Sequence, residues 1–406
     1  MLNSPALFIP VFLAAAAIEA FLSYKGRDER YTLENTTTNI AIGAVDQISA
    51  LVYMGLLFLS LQLVYTHFRF VTIDNLWYQW VGGYIAVDFV SYWYHRLSHR
   101  VNILWAAHVT HHSSEHFNFS NGFRTSLFQG LNRIFFWVLL PLFGFSPIVL
   151  VIILQVSGIY DFLLHTQYIP RLGFLEKILI TPSLHRVHHG KNSIYIDKNY
   201  GSTFSVWDKL FGTYQPETEK VEYGITTPLP DKNPLTAITH HYQYLWNTLR
   251  SFTNVTDKIK ILFMPPDWKP AIANANPSPQ PLNVNPISSA PKAYALFQIG
   301  YCVAALIAML YYKNYLSSLE IVACSVLGIY FINNSTLTLI GNGVSRFEKR
   351  EALEIFITLC LTIFLVAFSY KFYLCLVMLF SLLSYLFSMY NHGYSTKNVN
   401  TFLLQE

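Results

Sequence analysis

Three short motifs carry most of the chemistry in this sequence: His95-Arg96-Leu97-Ser98-His99, His108-Val109-Thr110-His111-His112 and His185-Arg186-Val187-His188-His189. Residues three and four apart share one face of a helix. Each motif therefore presents two or three imidazoles in one direction. An imidazole offers one nitrogen lone pair and suits iron, zinc and copper. Eight of them exceed what one ion can use, but they suit two ions with coordination positions left open. A lone histidine is usually a packed or interfacial residue. Eight in the spacing HxxxH, HxxHH and HxxHH point instead to a metal pair. His165, in Leu164-His165-Thr166, is a ninth candidate ligand, because an ionisable residue at the end of an apolar stretch points to function. His67, His116, His240, His241 and His392 lack the spacing and read as structural or surface residues.

Neutral imidazoles bring no negative charge to a metal. Carboxylates are therefore expected just outside the ligands, where they orient ring N–H groups. Glu115, Asp197 and Asp208 are the candidates, with Asn199 as an amide partner. The plainer alternatives are a turn before Gly201 for Asp197 and Asn199, and a surface helix position for Glu115. The third motif has its own helix start: Thr181 suits the N-cap and Pro182 the first helical position.

The elements that must hold these residues are apolar. Of 406 residues, 53% are hydrophobic, 16% aromatic and 12% charged, against about 25% charge in ordinary soluble domains. The mean hydropathy is +0.33. Disorder is excluded by the apolar content. The expected fold class is an all-α polytopic integral membrane protein of about nine transmembrane helices, since a helix of roughly 20 apolar residues spans a bilayer. The candidate spans are 5–24, 39–66, 77–94, 128–146, 148–166, 293–312, 317–338, 352–370 and 372–390. The fourth carries Asn132 and Arg133 and reads as half-buried or re-entrant. It is joined to the fifth by Gly144-Phe145-Ser146-Pro147, a turn suited to a helical hairpin. The first span lacks a basic leader and reads as a retained helix. Cys302, Cys324, Cys360 and Cys375 lie in apolar runs and read as packing residues.

Of the 27 Lys and Arg, 23 fall in segments 25–38, 95–127, 167–292, 339–351 and 391–406. The positive-inside bias places these segments, and the histidine motifs with them, toward the cytoplasm. Residues 265–291 hold eight of the 18 prolines and read as a linker. The chain thus divides into a histidine-rich membrane domain (1–264), the linker, and a C-terminal four-helix membrane region (292–406). The net charge of +4 forms no basic stripe, so nucleic acid is not an expected partner.

The three motifs between apolar spans resemble the fatty acid hydroxylase and sterol desaturase superfamily. The flanking residues resemble its alkylglycerol monooxygenase branch: Tyr94-His95-Arg96, Trp105-Ala106-Ala107-His108, His111-His112-Ser113-Ser114-Glu115, Thr181 through Gly190, Ile196 through Gly201, and Trp207 through Thr213. The similarity covers about residues 35–270. It implies a diiron membrane monooxygenase with the eight clustered histidines at the essential positions and His165 in a corresponding His-Thr pair. Gln167 stands where an acid is expected. The resemblance also implies O2 as co-substrate and an ether lipid hydroxylated at the carbon next to its ether oxygen. The products are a fatty aldehyde and a glycerol derivative. Tetrahydrobiopterin is implied as reductant. No Gly-rich dinucleotide unit and no fused haem domain is evident, so electrons must come from a diffusing pterin or a donor protein.

Other readings remain open at this point. A relative hydroxylating or desaturating a sterol, carotenoid or acyl chain shares the motifs. A metal or haem carrier would need ligands facing each other within the spans. A zinc hydrolase would show His-Glu-x-x-His, which is absent. The membrane is the endoplasmic reticulum in a eukaryotic host or the plasma membrane in a bacterial one.

Overall fold

The computed structural model describes residues 4–229, 231–268, 289–313 and 316–339. Among them it is all-helical, with only two isolated β-bridges, Leu179–Phe204 and Gly190–Tyr223. In chain order the helices begin with α1 (Ser4–Gly26), α2 (Leu33–His67), α3 (Gly83–Arg100) and α4 (Asn102–His112). There follow α5 (Leu127–Trp137), α6 (Pro147–Leu163), α7 (Pro182–His188) and α8 (Val206–Leu210). The last are α9 (Pro234–Ser251), α10 (Val255–Phe263), α11 (Ser289–Tyr312) and α12 (Ser318–Leu339).

Helix α2 has two halves of different character. Thr32 caps it, accepting from the Asn35 N–H. Its first turns bury Asn35, Thr37, Thr38 and Asn39 inside the protein. Its second half exposes Val52, Leu56, Leu59 and Leu63, a stripe of branched apolar side chains at helical spacing. A contiguous exposed surface of this kind has no favourable place in water. The opposite face supplies Leu57 and Leu61 to a core with Val87, Trp137, Leu140, Leu150 and Ile153. That core joins α2, α3, α5 and α6 and carries the scaffold under the histidines.

Among the described residues, two helices are long and apolar enough to cross a membrane, Phe8–Gly26 and Leu33–His67. The expected count of nine spans is not reached among the described residues. The third expected span does not stop at residue 94. A short π-helical turn (Tyr78–Gly82) feeds α3, which runs on to Arg100 and carries both His95 and His99. The fourth is broken. Its helix α5 has 11 residues, which at about 1.5 Å per residue is roughly half of a bilayer core. Arg133 lies there with its guanidinium 5.7 Å from the Tyr94 ring and 5.5 Å from the Trp137 ring. Helix α6 has 17 residues, while α11 and α12 match the sixth and seventh spans in place. Spans 352–370 and 372–390, and residues 269–288 of the linker, lie outside the described residues.

The turn at residues 144–147 forms as its composition suggests. Gly144 sits in the left-handed region at φ +86°, and a Cβ there would fall 2.5 Å from the Val71 carbonyl oxygen. Gln79 latches the turn: its amide donates to the carbonyls of Ile73 and Gly144 and accepts from the Ser146 N–H, at 2.8, 2.9 and 2.9 Å.

Candidate metal centre

The nine histidines singled out by spacing and depth converge into two groups. His95, His99, His108, His112 and His188 form one; His111, His165, His185 and His189 form the other. Within each group one ring nitrogen per residue lies within 4.8 Å of all the others. Helix α3 supplies His95 and His99. Helix α4 supplies His108, His111 and His112, and the adjacent pair at its end diverges, one residue to each group. Helix α7 and its cap supply His185, His188 and His189. There Thr181 caps the helix through the Leu184 N–H, with Pro182 at its first position. His165 lies just beyond α6.

Hydrogen bonds decide which nitrogen faces inward. Nδ1 of His95 donates to the Tyr200 carbonyl (2.9 Å), and that of His188 to the Lys198 carbonyl (2.9 Å). Nδ1 of His111 donates to the Arg124 carbonyl (3.2 Å), and that of His165 to the Asp161 carbonyl (2.8 Å). A carbonyl only accepts, so Nδ1 carries the proton and Nε2 keeps the lone pair. The inward nitrogens of His165 and His111 are 3.3 Å apart. Two lone pairs at that distance cannot hydrogen-bond each other. Further inward pairs are His95–His108 (3.0 Å), His108–His112 (3.1 Å), His112–His188 (3.2 Å), His165–His185 (3.1 Å) and His185–His189 (3.2 Å). Donors about 2.0–2.1 Å from one ion at right angles would be roughly 3 Å apart. The buried Nε2 of His99 has no hydrogen-bond partner. Both groups therefore fit a cation.

Burial, reinforced by neighbouring imidazoles, pushes His99, His108, His111, His112, His185 and His189 well below the usual imidazole range. Burial lowers His188 to about 4. These rings are neutral at pH 7, the form that binds metals.

The expected acidic partners act differently from the simple scheme. Backbone carbonyls, not carboxylates, take the ring N–H groups above. Two of those carbonyls come from one loop, where Asp197 and Asn199 flank Lys198 with φ of +60° and +54°. Asp208 is fully buried and fixes that loop. Its carboxylate accepts from Tyr200 N–H (2.7 Å), Gly201 N–H (2.8 Å) and the Thr213 hydroxyl (2.7 Å). A Cβ on Gly201 would meet the Phe204 carbonyl oxygen at 2.6 Å and the Asp208 carboxylate at 2.9 Å, so the close approach needs glycine. Asn199 ties the loop to α7 by donating to the Leu184 carbonyl (3.0 Å). Asp197 pairs with Arg100 at 2.6 Å and lies 3.8 Å from His99 Nδ1. Glu115 is not brought to the histidines; its side chain is 61% exposed and faces Lys232 at 3.7 Å. Gln167 donates to the Phe117 carbonyl at 2.6 Å. The buried carboxylate beside Thr166 comes instead from Glu19 of α1, which also accepts from Tyr31 and from the Phe119 N–H.

Spacing gave no sign of Arg124. It is almost fully buried, and burial lowers its guanidinium to about 9, still charged at neutral pH. It donates to the Thr110 carbonyl (2.9 Å), Asn39 Oδ1 (2.7 Å) and Ser113 Oγ (2.6 Å), while its own carbonyl holds His111. It thus holds the Thr110 carbonyl and the Ser113 side chain on either side of the diverging His111–His112 pair. Arg124→Met would leave the buried Asn39 Oδ1 without its donor, at about 1–3 kcal/mol, while Ser113 Oγ still serves the Thr110 carbonyl. The expected result is a clearly lower unfolding temperature in detergent; an unchanged temperature would remove Arg124 from this role.

A cleft of about 750 Å³ opens beside the second group, walled in part by Arg30, Gln167, Glu217 and Tyr223. The Tyr223 ring stacks on Phe117 at 5.2 Å, and Phe117 contacts the rings of His165, His185 and His189 at 5.5, 6.1 and 5.1 Å.

Among the described residues, a helical scaffold brings together two clusters of inward imidazoles that could hold metal ions, and comparison narrows the reading. Residues 80–213 match the family model described as Fatty acid hydroxylase. The chain is 37% identical over 265 residues to alkylglycerol monooxygenase of Homo sapiens, covering 64% of this chain and 59% of that protein. It is 31% identical over 278 residues to alkylglycerol monooxygenase of Caenorhabditis elegans, covering 64% of this chain and 54% of that protein. It is 34% identical over 155 residues to ornithine lipid hydroxylase OlsE of Rhizobium tropici, covering 37% and 46%. The matched segments thus span less than two-thirds of each relative's length. No solved structure matches.

Proposed function

We propose that this protein is a membrane-bound, O2-dependent monooxygenase of lipids, and that its substrates are alkylglycerol ethers. The observation that carries the reading is the pair of inward-facing imidazole groups, in which the fixed lone pairs of His111 and His165 face each other at 3.3 Å with no donor between them. The five-histidine and four-histidine groups would each hold one iron ion. The iron pair would supply O2 activation with two external electrons.

The chain's own residues supply the rest. The Lys198 and Tyr200 carbonyls set ring orientation, and Asp208, Asn199 and Asp197 position that loop. Burial of the imidazoles keeps protons off the inward nitrogens at neutral pH. The exposed apolar sides of α1 and α2 seat the protein in the bilayer, so an amphiphile can keep its headgroup near water and its chain in lipid. The cleft at Tyr223 is the aqueous approach for a tetrahydropterin or other small reductant. On this reading the histidine side faces the cytoplasm, and the polytopic arrangement of about nine helices extends into the C-terminal region.

The overall reaction balances as lipid ether plus O2, two electrons and two protons to hemiacetal plus water. The hemiacetal then breaks its C–O bond, giving aldehyde and glycerol. A second reading, favoured by the similarity to an ornithine lipid hydroxylase, leaves the hydroxyl on the lipid and releases no aldehyde.

The test is fatty aldehyde release from an alkylglycerol by membranes containing the protein, with and without a tetrahydropterin. His189→Ala serves as the blank. Pterin-dependent aldehyde in the unmodified protein alone is expected. A hydroxylated lipid without aldehyde would favour the second reading, and no oxygenated product from iron-loaded protein with either reductant would contradict both.

A further inference from the structure

Helix α10 presents two contrasting faces. Its inner face buries Ile261 against Ala106 and Leu245. Asn102, the first residue of α4, donates its side-chain amide to the Ile261 carbonyl (2.9 Å) and its N–H to the Met264 carbonyl (3.1 Å). The outer face carries Val255, Ile259 and Phe263, which are 67%, 54% and 61% exposed. At about 100° per residue these three lie within one narrow stripe. The same geometry puts Lys258 on one flank of the stripe and Lys260 on the other. Beside it on α9, Trp246 is 62% exposed and holds the Arg250 guanidinium over its ring at 6.0 Å.

We propose that α10 is a membrane-surface helix that lies in the plane of the leaflet, its Val255–Ile259–Phe263 stripe sunk into lipid. A soluble protein would not leave three large apolar side chains in a row facing water. The charge pattern selects lipid over a protein partner. A lysine on each flank can lay its stem along the apolar boundary and put its ammonium among anionic headgroups, and Trp246 with Arg250 suits the same interfacial layer. The inner face of α10 is bonded to the start of α4, which bears His108, His111 and His112. The dock therefore sets the height of the candidate metal centre against the lipid surface. This rests on the membrane reading above and adds a contact outside every expected span.

The test uses the full chain in phospholipid nanodiscs containing anionic lipid, with its four native cysteines replaced by alanine. Spin labels are placed singly at Ile259→Cys, Phe263→Cys, Leu59→Cys on α2 and Lys191→Cys on the cleft. Relaxation by oxygen reports lipid, and relaxation by a water-soluble nickel complex reports water. The expected result is loss of nickel relaxation with retained oxygen relaxation at 259 and 263, matching position 59, while 191 shows the reverse. Nickel relaxation at 259 and 263 with position 59 in lipid would overturn the α10 assignment alone. Exclusion of both agents there would mean protein covers the stripe, and would overturn it too. Nickel relaxation at 59 would instead overturn the membrane reading of α2. Because 259 and 263 are surface positions, their substitution should leave the fold intact.

Discussion

Alanine at His185 is expected to empty the four-histidine group of its ion and abolish turnover. Removing His185 leaves only His111, His165 and His189. The two fixed lone pairs at 3.3 Å, on His111 and His165, would then face a site with three ligands in place of four. Alanine at His99 should also stop turnover, but it leaves four imidazoles, His95, His108, His112 and His188. The His99 variant should therefore keep more of its metal under chelator challenge than the His185 variant. Metal per chain, measured before and after dialysis against a chelator, checks the order. Equal, full retention in both variants would show that these imidazoles are packing residues.

The second large effect is expected at Asp208, which touches no histidine. It accepts three hydrogen bonds in a fully buried position. Two come from the backbone N–H groups of Tyr200 and Gly201, and the Tyr200 carbonyl orients His95. In Asp208→Asn an amide NH2 must replace one carboxylate oxygen. Wherever it points, it faces a donor. One stranded donor costs about 1–3 kcal/mol, and loss of such an orienting contact typically costs about 10–100-fold in metal affinity or activity. Faster metal release to a chelator, with an unchanged helical circular dichroism spectrum, is the expected result. Asp257→Asn, on α10, should leave release unchanged. Identical release rates for Asp208→Asn and the unmodified protein would sink the positioning role.

The clustering of the histidines was legible because helical spacing is local. His108, His111 and His112 are tied by the geometry of one helix, as are His185 and His188. The Thr181–Pro182 helix start and the Gly144 turn were legible for the same reason: each is fixed by residues a few positions apart. What spacing could not show is contact at a distance. Lys198 and Tyr200 orient His188 and His95 through carbonyls, which every residue type possesses. Arg124 reaches Asn39 across 85 positions, and Glu19 reaches Thr166 across 147. Glu115 misled because it adjoins a histidine motif in sequence while its side chain faces Lys232. Asn132 and Arg133 marked the fourth span as half-buried, but the break after Trp137 was not marked, because hydropathy reports composition, not the continuity of a helix.

The most direct measurement is iron content with Mössbauer spectroscopy on the unmodified full-length protein, purified from iron-57-grown cells. Two irons per chain, magnetically coupled and falling in both single-group variants, is the result expected of two adjacent all-histidine sites. One uncoupled iron, or a zinc-filled centre with no iron uptake, would contradict the paired iron centre from which the proposed chemistry follows.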